Sequence, residues 1–126
     1  TGNLVSFSNV ARASLVAMMA GADFIKTSTG KEGINANLPV SLVMLRAIRE
    51  FHQRTGTMVG FKPAGGIRAA RDAISYLILM REELGFPWLN AHYFRIGASG
   101  LLGDISRQLE HYLSGRYSAS HRHPMG

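Results

Sequence analysis

An α/β fold built on a parallel sheet is what this sequence predicts, and three observations predict it. Three short β-like runs, Asp23–Thr29, Thr57–Lys62 and Tyr93–Gly97, alternate with four stretches of helical pattern. The connecting stretches are long enough for crossover helices, which parallel strands need and antiparallel hairpins do not. The composition is that of a packed globular domain, with 46% apolar and 17% charged residues in 126.

The elements follow in order. The first helix is expected within Ser8–Ala20, opened by Ser8-Asn9 and closed by Gly21. The Ile- and Thr-containing run Asp23–Thr29 follows at once, and a Gly/Lys/Asn loop, Gly30–Asn37, leads to a helix with Pro39 in its first turn. Val40, Val43, Leu45, Ile48 and Phe51 recur there at helical rather than alternating spacing. Gly56 ends this helix and Thr57–Lys62 forms the second run. Pro63-Ala64-Gly65-Gly66 is a turn into a helix over Ala69–Leu84, which Gly85 stops. A loop through Pro87 reaches the third run, Tyr93–Gly97. Ser99-Gly100 opens a last helix, Leu101–Leu113, terminated by Gly115. Residues 116–126 form an aperiodic tail, so residues 1–115 carry the folded part. Three parallel strands leave two open edges, a pattern that half of a (β/α)₈ barrel and a small doubly wound domain satisfy equally.

Several function classes are excluded or disfavoured. No apolar run reaches the roughly 18 residues of a membrane span; the most apolar stretch, Ala11–Ala20, is short and carries Arg12. The chain holds no cysteine, hence no disulfide framework or thiolate metal site, which suits a reducing, cytoplasmic setting. It lacks an initial Met and reads as a piece of something longer. The net charge of +6 favours anionic partners, but the basic residues are scattered and no run of five Lys/Arg occurs, which argues against a nucleic-acid surface.

Two lysines stand where lysines are costly. Strands of a parallel sheet are covered on both faces and are normally apolar. Here Lys26 and Lys62 each lie near the C-terminal end of one of the first two runs. A single lysine at a strand end usually snorkels to water; two at equivalent depth on consecutive strands call for another account. Strands lie about 4.8 Å apart. Two ammonium groups ~5 Å apart repel by roughly 3 kcal/mol at an effective dielectric of 20. That repulsion, with partial burial, favours the uncharged form of one amine, which can then attack a carbonyl to form an imine. The residues alone do not say which lysine attacks and which stays charged.

Two turns suit an anion. Gly65-Gly66-Ile67-Arg68 and Gly97-Ala98-Ser99-Gly100 each follow a strand and precede a helix. Glycines let backbone N–H groups approach an oxyanion, and a helix N-terminus adds partial positive charge. Singly, each is more often an ordinary strand-to-helix turn, with Ser99 as an N-cap; on consecutive βα loops they match the phosphate site common in (β/α)₈ barrels. Lys31 adds a third cation in the loop after the first run. His121 and His123, two apart in the tail, read as solvated, and Phe86, Trp88 and Leu89 as packed. Asp23, Glu32 and Asp104 are the only candidate acids near the strands and turns, and none pairs for acid–base work.

The motifs Asp23-Phe24-Ile25-Lys26-Thr27-Ser28-Thr29-Gly30-Lys31, Gly60-Phe61-Lys62-Pro63-Ala64-Gly65-Gly66-Ile67-Arg68 and Phe94-Arg95-Ile96-Gly97-Ala98-Ser99 resemble the deoxyribose-phosphate aldolase family, in its animal-type form, over nearly the whole chain. The resemblance implies the C-terminal part of a (β/α)₈ (TIM) barrel: helix five through helix eight with three parallel strands. It implies reversible cleavage of 2-deoxy-D-ribose 5-phosphate to acetaldehyde and D-glyceraldehyde 3-phosphate, without metal or other cofactor. Lys26 is then the Schiff-base lysine and Lys62 its cationic neighbour. Gly30, Lys31, Gly65, Gly66, Ile67, Arg68, Gly97 and Ser99 are the phosphate contacts.

Two departures accompany the match. Gly100 stands where the family usually has a second hydroxyl residue, and the family's proton-relay aspartate belongs to an earlier strand outside this chain. Tyr117 is the nearest counterpart of the family's C-terminal tyrosine. The alternatives are a non-catalytic module binding a phosphate ligand or nucleic acid through Lys31, Arg68 and other basic residues, and a class I aldolase for another sugar phosphate. The partners expected are a phosphorylated sugar and no membrane; a homo-oligomer stays open. The 126 residues alone are expected to be inactive and poorly folded or self-associated, since three strands cannot close a barrel.

Overall fold

The structure is a computed structural model that describes residues 1–4, 6–29 and 36–119. Helix α1 spans Phe7–Met19, and its N-cap lies two residues before the expected one. Ser6, in extended backbone, takes the N-cap, and its hydroxyl accepts the Asn9 amide at 3.2 Å. Val10, Ser14 and Met18 bury one stripe at a four-residue spacing. Strand β1 (Phe24–Lys26) follows. Helix α2 (Leu38–Thr55) opens at Asn37, whose side chain accepts from the Val40 amide at 2.8 Å, with Pro39 in the first turn as expected. It closes at Gly56 in the left-handed region (φ 74°), where a side chain would be strained. Strand β2 is Gly60–Lys62, α3 is Ala70–Leu84 and α4 is Leu101–Ser114.

β1 and β2 pair in parallel, in the register Phe24 to Gly60, Ile25 to Phe61 and Lys26 to Lys62. The third run does not form a continuous strand. It touches β2 at two isolated parallel bridges, Phe61 with Phe94 and Ala64 with Gly97. The hydrogen bonds show why. The Phe61 amide donates to the Tyr93 carbonyl at 2.8 Å, the Arg95 amide to Phe61 at 3.2 Å and the Gly97 amide to Pro63 at 2.9 Å. The bond that would join these into a ladder needs an amide at residue 63, and proline has none. The expectation of three parallel strands is therefore corrected to a two-stranded sheet with a third segment bridged beside it.

The core lies between β2 and the helices. Phe61, Leu45, Ile48 and Met80 are wholly buried, with Val59 and Ile67 beside them. On α2 the buried face is Ser41, Met44, Leu45, Ala47 and Ile48, while Val40, Val43 and Phe51 pack at its margin. The helical period was right, and the buried arc is displaced from the one that the valines mark. Trp88 is buried, and its Nε1 donates to the Val59 carbonyl at 3.1 Å, which fits the packed reading of that loop; Phe86, in contrast, is exposed. Arg49 and Arg46 meet Glu83 at 3.0 and 3.5 Å and tie α2 to α3. Among the described residues, no helix is long and apolar enough to cross a membrane.

Candidate active site

Register partners in a parallel pair project to the same side of the sheet, so Lys26 and Lys62 stand next to each other on one face. Lys26 is exposed at the end of β1 and borders a depression of about 230 Å³ lined by Thr1, Thr27, Ser28 and Thr29. Lys62 is half-buried. Its chain crosses the backbone of Gly97: a Cβ placed on that glycine would stand 3.3 Å from Lys62 Cε and 2.7 Å from Ala64 Cβ. The third segment can approach β2 this closely only because residue 97 has no side chain. Neither lysine makes an ion pair among the described residues.

The row below the lysines is also filled in a specific way. The Phe24 ring lies over Gly60, where an added Cβ would come within 2.6 Å of Phe24 Cδ1. Arg95 Cζ sits 4.6 Å from the centre of that ring, and Arg95 Nε donates to the Ala91 carbonyl at 3.0 Å. The bridge of Phe61 with Phe94 puts Arg95 beside Lys62 in register, so it is a third cation on the lysine face, with its guanidinium directed back onto Phe24.

At the end of β1, Thr27 is wholly buried. Its hydroxyl accepts the Ala64 amide at 2.8 Å and donates to the Ala64 carbonyl at 2.7 Å, while its own amide donates to the Lys62 carbonyl at 3.3 Å. Beyond Ala64 come Gly65 and Gly66, both in the left-handed region (φ 99° and 92°), which only glycine adopts without strain. The Gly65 carbonyl accepts from Ala36 at 3.1 Å. Ile67 is buried and Arg68 exposed.

The two anion turns differ from expectation at their helix ends. The Gly65–Arg68 turn does not open a helix directly, since α3 starts at Ala70. The first amides there already have carboxylate partners: Asp104 Oδ2 accepts from Ala70 at 2.7 Å, and Asp72 Oδ2 from Ala69 at 3.4 Å. Asp104 thus caps a neighbouring helix. At the second turn, Gly100 rather than Ser99 takes the N-cap of α4, and no side chain caps that helix. Ser99 is exposed and Gly97 half-buried. Tyr117, also exposed, stacks on His111 with ring centres 3.9 Å apart. Gly30, Lys31, Glu32, His121 and His123 lie outside the described residues.

A sequence profile described as DeoC/LacD family aldolase matches residues 4–86. The chain belongs to the DeoC/LacD aldolase family. The matched span holds both lysines and the Gly65-Gly66 turn, and the rest of this aldolase-family chain is covered by whole-chain relatives. Mouse deoxyribose-phosphate aldolase is 62% identical over 125 residues, 99% of this chain and 39% of that protein. The human deoxyribose-phosphate aldolase is 60% identical over the same proportions. The chain therefore spans about two fifths of the length of these relatives. An apo crystal structure from Toxoplasma gondii ME49, assigned as a deoxyribose-phosphate aldolase, aligns with a TM-score of 0.73 at 25% identity, covering 88% of this chain and 42% of that one.

Sequence reasoning singled out the two lysines and both turns but missed Thr27 and the stack of Phe24, Gly60 and Arg95. A signal for Thr27 was present. It shares its strand face with Ile25, and a hydroxyl on that face must find a partner when buried.

Proposed function

We propose that this chain supplies the lysine-bearing part of a class I aldolase that reversibly cleaves 2-deoxy-D-ribose 5-phosphate to acetaldehyde and D-glyceraldehyde 3-phosphate. The observation that carries it is the register of Lys26 with Lys62 on one sheet face. In the whole protein the parallel segments belong to a (β/α)₈ barrel, whose remaining strands cover the open edge of β1. The family match and the shared fold support that architecture.

Lys26 is the nucleophile. It is exposed beside a depression that can admit a small aldehyde, whereas Lys62 is half-buried and threaded over Gly97. The free amine of Lys26 adds to the aldehyde carbon of the open-chain sugar phosphate, and loss of water gives a protonated imine. This iminium accepts the electron pair of the C2–C3 bond as it breaks. The C3 hydroxyl gives up its proton and D-glyceraldehyde 3-phosphate leaves. Protonation of the enamine carbon and hydrolysis release acetaldehyde and restore the amine. The resemblance assigns the proton traffic to an aspartate on an earlier strand. Lys62, opposite Lys26 in register on the same face, places a second cationic side chain beside the reacting amine. The substrate phosphate rests on Gly65, Gly66 and Ile67 with Arg68, on Gly97 and Ser99 at the uncapped N-terminus of α4, and on Gly30 and Lys31.

Borohydride reduction in the presence of acetaldehyde tests the reading in the full-length protein. An ethyl group should appear on Lys26, and Lys26→Ala should abolish it. In Lys62→Met the labelling should persist at Lys26 but more slowly, because the neighbouring cationic side chain is gone. No adduct, or one unchanged by Lys26→Ala, would remove the mechanism.

A further inference from the structure

The Schiff-base lysine and the phosphate turn lie on different strands, and a single hydroxyl joins them. Lys26 is the last residue of β1, and Thr27, the next in the chain, turns its side chain to the opposite face. There it holds both polar atoms of the Ala64 backbone, the amide at 2.8 Å and the carbonyl at 2.7 Å. This is a clamp across two strand ends, made where the regular ladder is already weakening: the last ladder bond, from the Thr27 amide to the Lys62 carbonyl, has lengthened to 3.3 Å. Ala64 is buried and bridges Gly97 on its other side. Gly65 and Gly66, the anion turn, follow it directly. That hydroxyl therefore ties the Gly65-Gly66 turn to the end of the strand that carries Lys26, and Gly97 follows only through its separate bridge to Ala64.

We infer that Thr27 is a positioning residue that makes the enzyme selective for phosphorylated over unphosphorylated 2-deoxyribose. The inference rests on the Schiff-base reading above. Its physical content is a fixed distance. A substrate joined covalently at one end and held by its phosphate at the other gains rate from both anchors only if their separation matches the molecule, and a misplacement of ~1 Å can cost about 100-fold. The Thr27 side chain is wholly buried, and its one hydroxyl proton is given to the Ala64 carbonyl rather than to the substrate. It acts through Ala64.

Valine keeps the shape of threonine and removes both hydrogen bonds, leaving the buried Ala64 amide and carbonyl without this partner. In the full-length protein, Thr27→Val is expected to lower kcat/KM for 2-deoxyribose 5-phosphate by about 10- to 100-fold. For unphosphorylated 2-deoxyribose the loss should stay within about threefold, since only one anchor is used. Acetaldehyde should still trap on Lys26, and Thr27→Ser, which retains the hydroxyl, should restore most of the phosphate preference. Where the valine variant does not accumulate as folded protein, Thr27→Cys keeps the volume, weakens both bonds and should shift the same ratio less. Equal losses on both sugars, with the wild-type adduct present, would show a merely structural role and overturn this inference alone. Absence of the wild-type adduct at Lys26 would overturn the Schiff-base reading and this one with it.

Discussion

The two flanks of β2 are held by different means. Toward β1 the ladder is continuous through Lys26 and Lys62, and the Thr27 hydroxyl extends it past the strand ends. Toward residues 93–97 the ladder is interrupted at Pro63, and contact depends on two bridges and the absence of a side chain at Gly97. The flank on which two lysines stand side by side is joined by a continuous hydrogen-bonded ladder. The other, which carries the Gly97–Gly100 turn, is joined by close approach of backbone. Hydrogen bonds set the lysine register, and steric fit sets the position of the Gly97–Gly100 turn.

Substitutions that attack each flank by its own means would break or sharpen this contrast. The largest effect is expected from Gly60→Ala on the β1 flank. The new methyl would overlap the Phe24 ring, on which Arg95 Cζ also packs, 4.6 Å from the ring centre. Overpacking of this kind costs about 1–3 kcal/mol, read as a lower urea midpoint with an unchanged m-value. The loss should shrink in a Phe24→Ala background, and an equal loss there would mean that the ring is not the obstacle. Next is Gly97→Ala on the other flank. Its methyl meets the Ala64 methyl, which cannot swing away, and Lys62 Cε. Parting the third segment from β2 should cost about 1–2 kcal/mol and slow acetaldehyde trapping at Lys26 by disturbing Lys62. Trapping at the wild-type rate would show that Lys62 does not depend on that contact.

The smallest effect should come from Pro63→Ala. It introduces the missing amide opposite the Arg95 carbonyl, a gain of about 1 kcal/mol, offset by about 0.4–1 kcal/mol as the unfolded chain gains freedom. Stability should hardly move, while amide exchange at position 63 becomes protected. Fast exchange there would refute the explanation given for the interrupted ladder.

Most of the element order was legible because caps and periodicity are local. Asn37, Pro39 and Gly56 bound α2 as the sequence predicts, and Gly85 and Gly115 stop α3 and α4. The first cap was misplaced by two residues, since Ser6 and Ser8 are chemically equivalent and only the backbone at Ser6 is extended. The third strand was over-read for a different reason. The residues of 93–97 are strand-like, but pairing belongs to two segments, and the defect lies in the partner at Pro63. The same limit hid the partner of Asp104, which bonds the Ala70 amide 34 residues away.

By itself the sequence determined the α/β class, the helix boundaries to within a residue or two, the family, and which lysines and glycines to watch. These follow from side-chain chemistry and from spacing along one chain. Only the tertiary structure decided that Lys26 stands opposite Lys62 rather than one residue out of step, that Thr27 clamps Ala64, and that Arg95 turns back onto Phe24. Register is a property of two strands at once. A slip of one residue would send a lysine to the other face with no change in the letters.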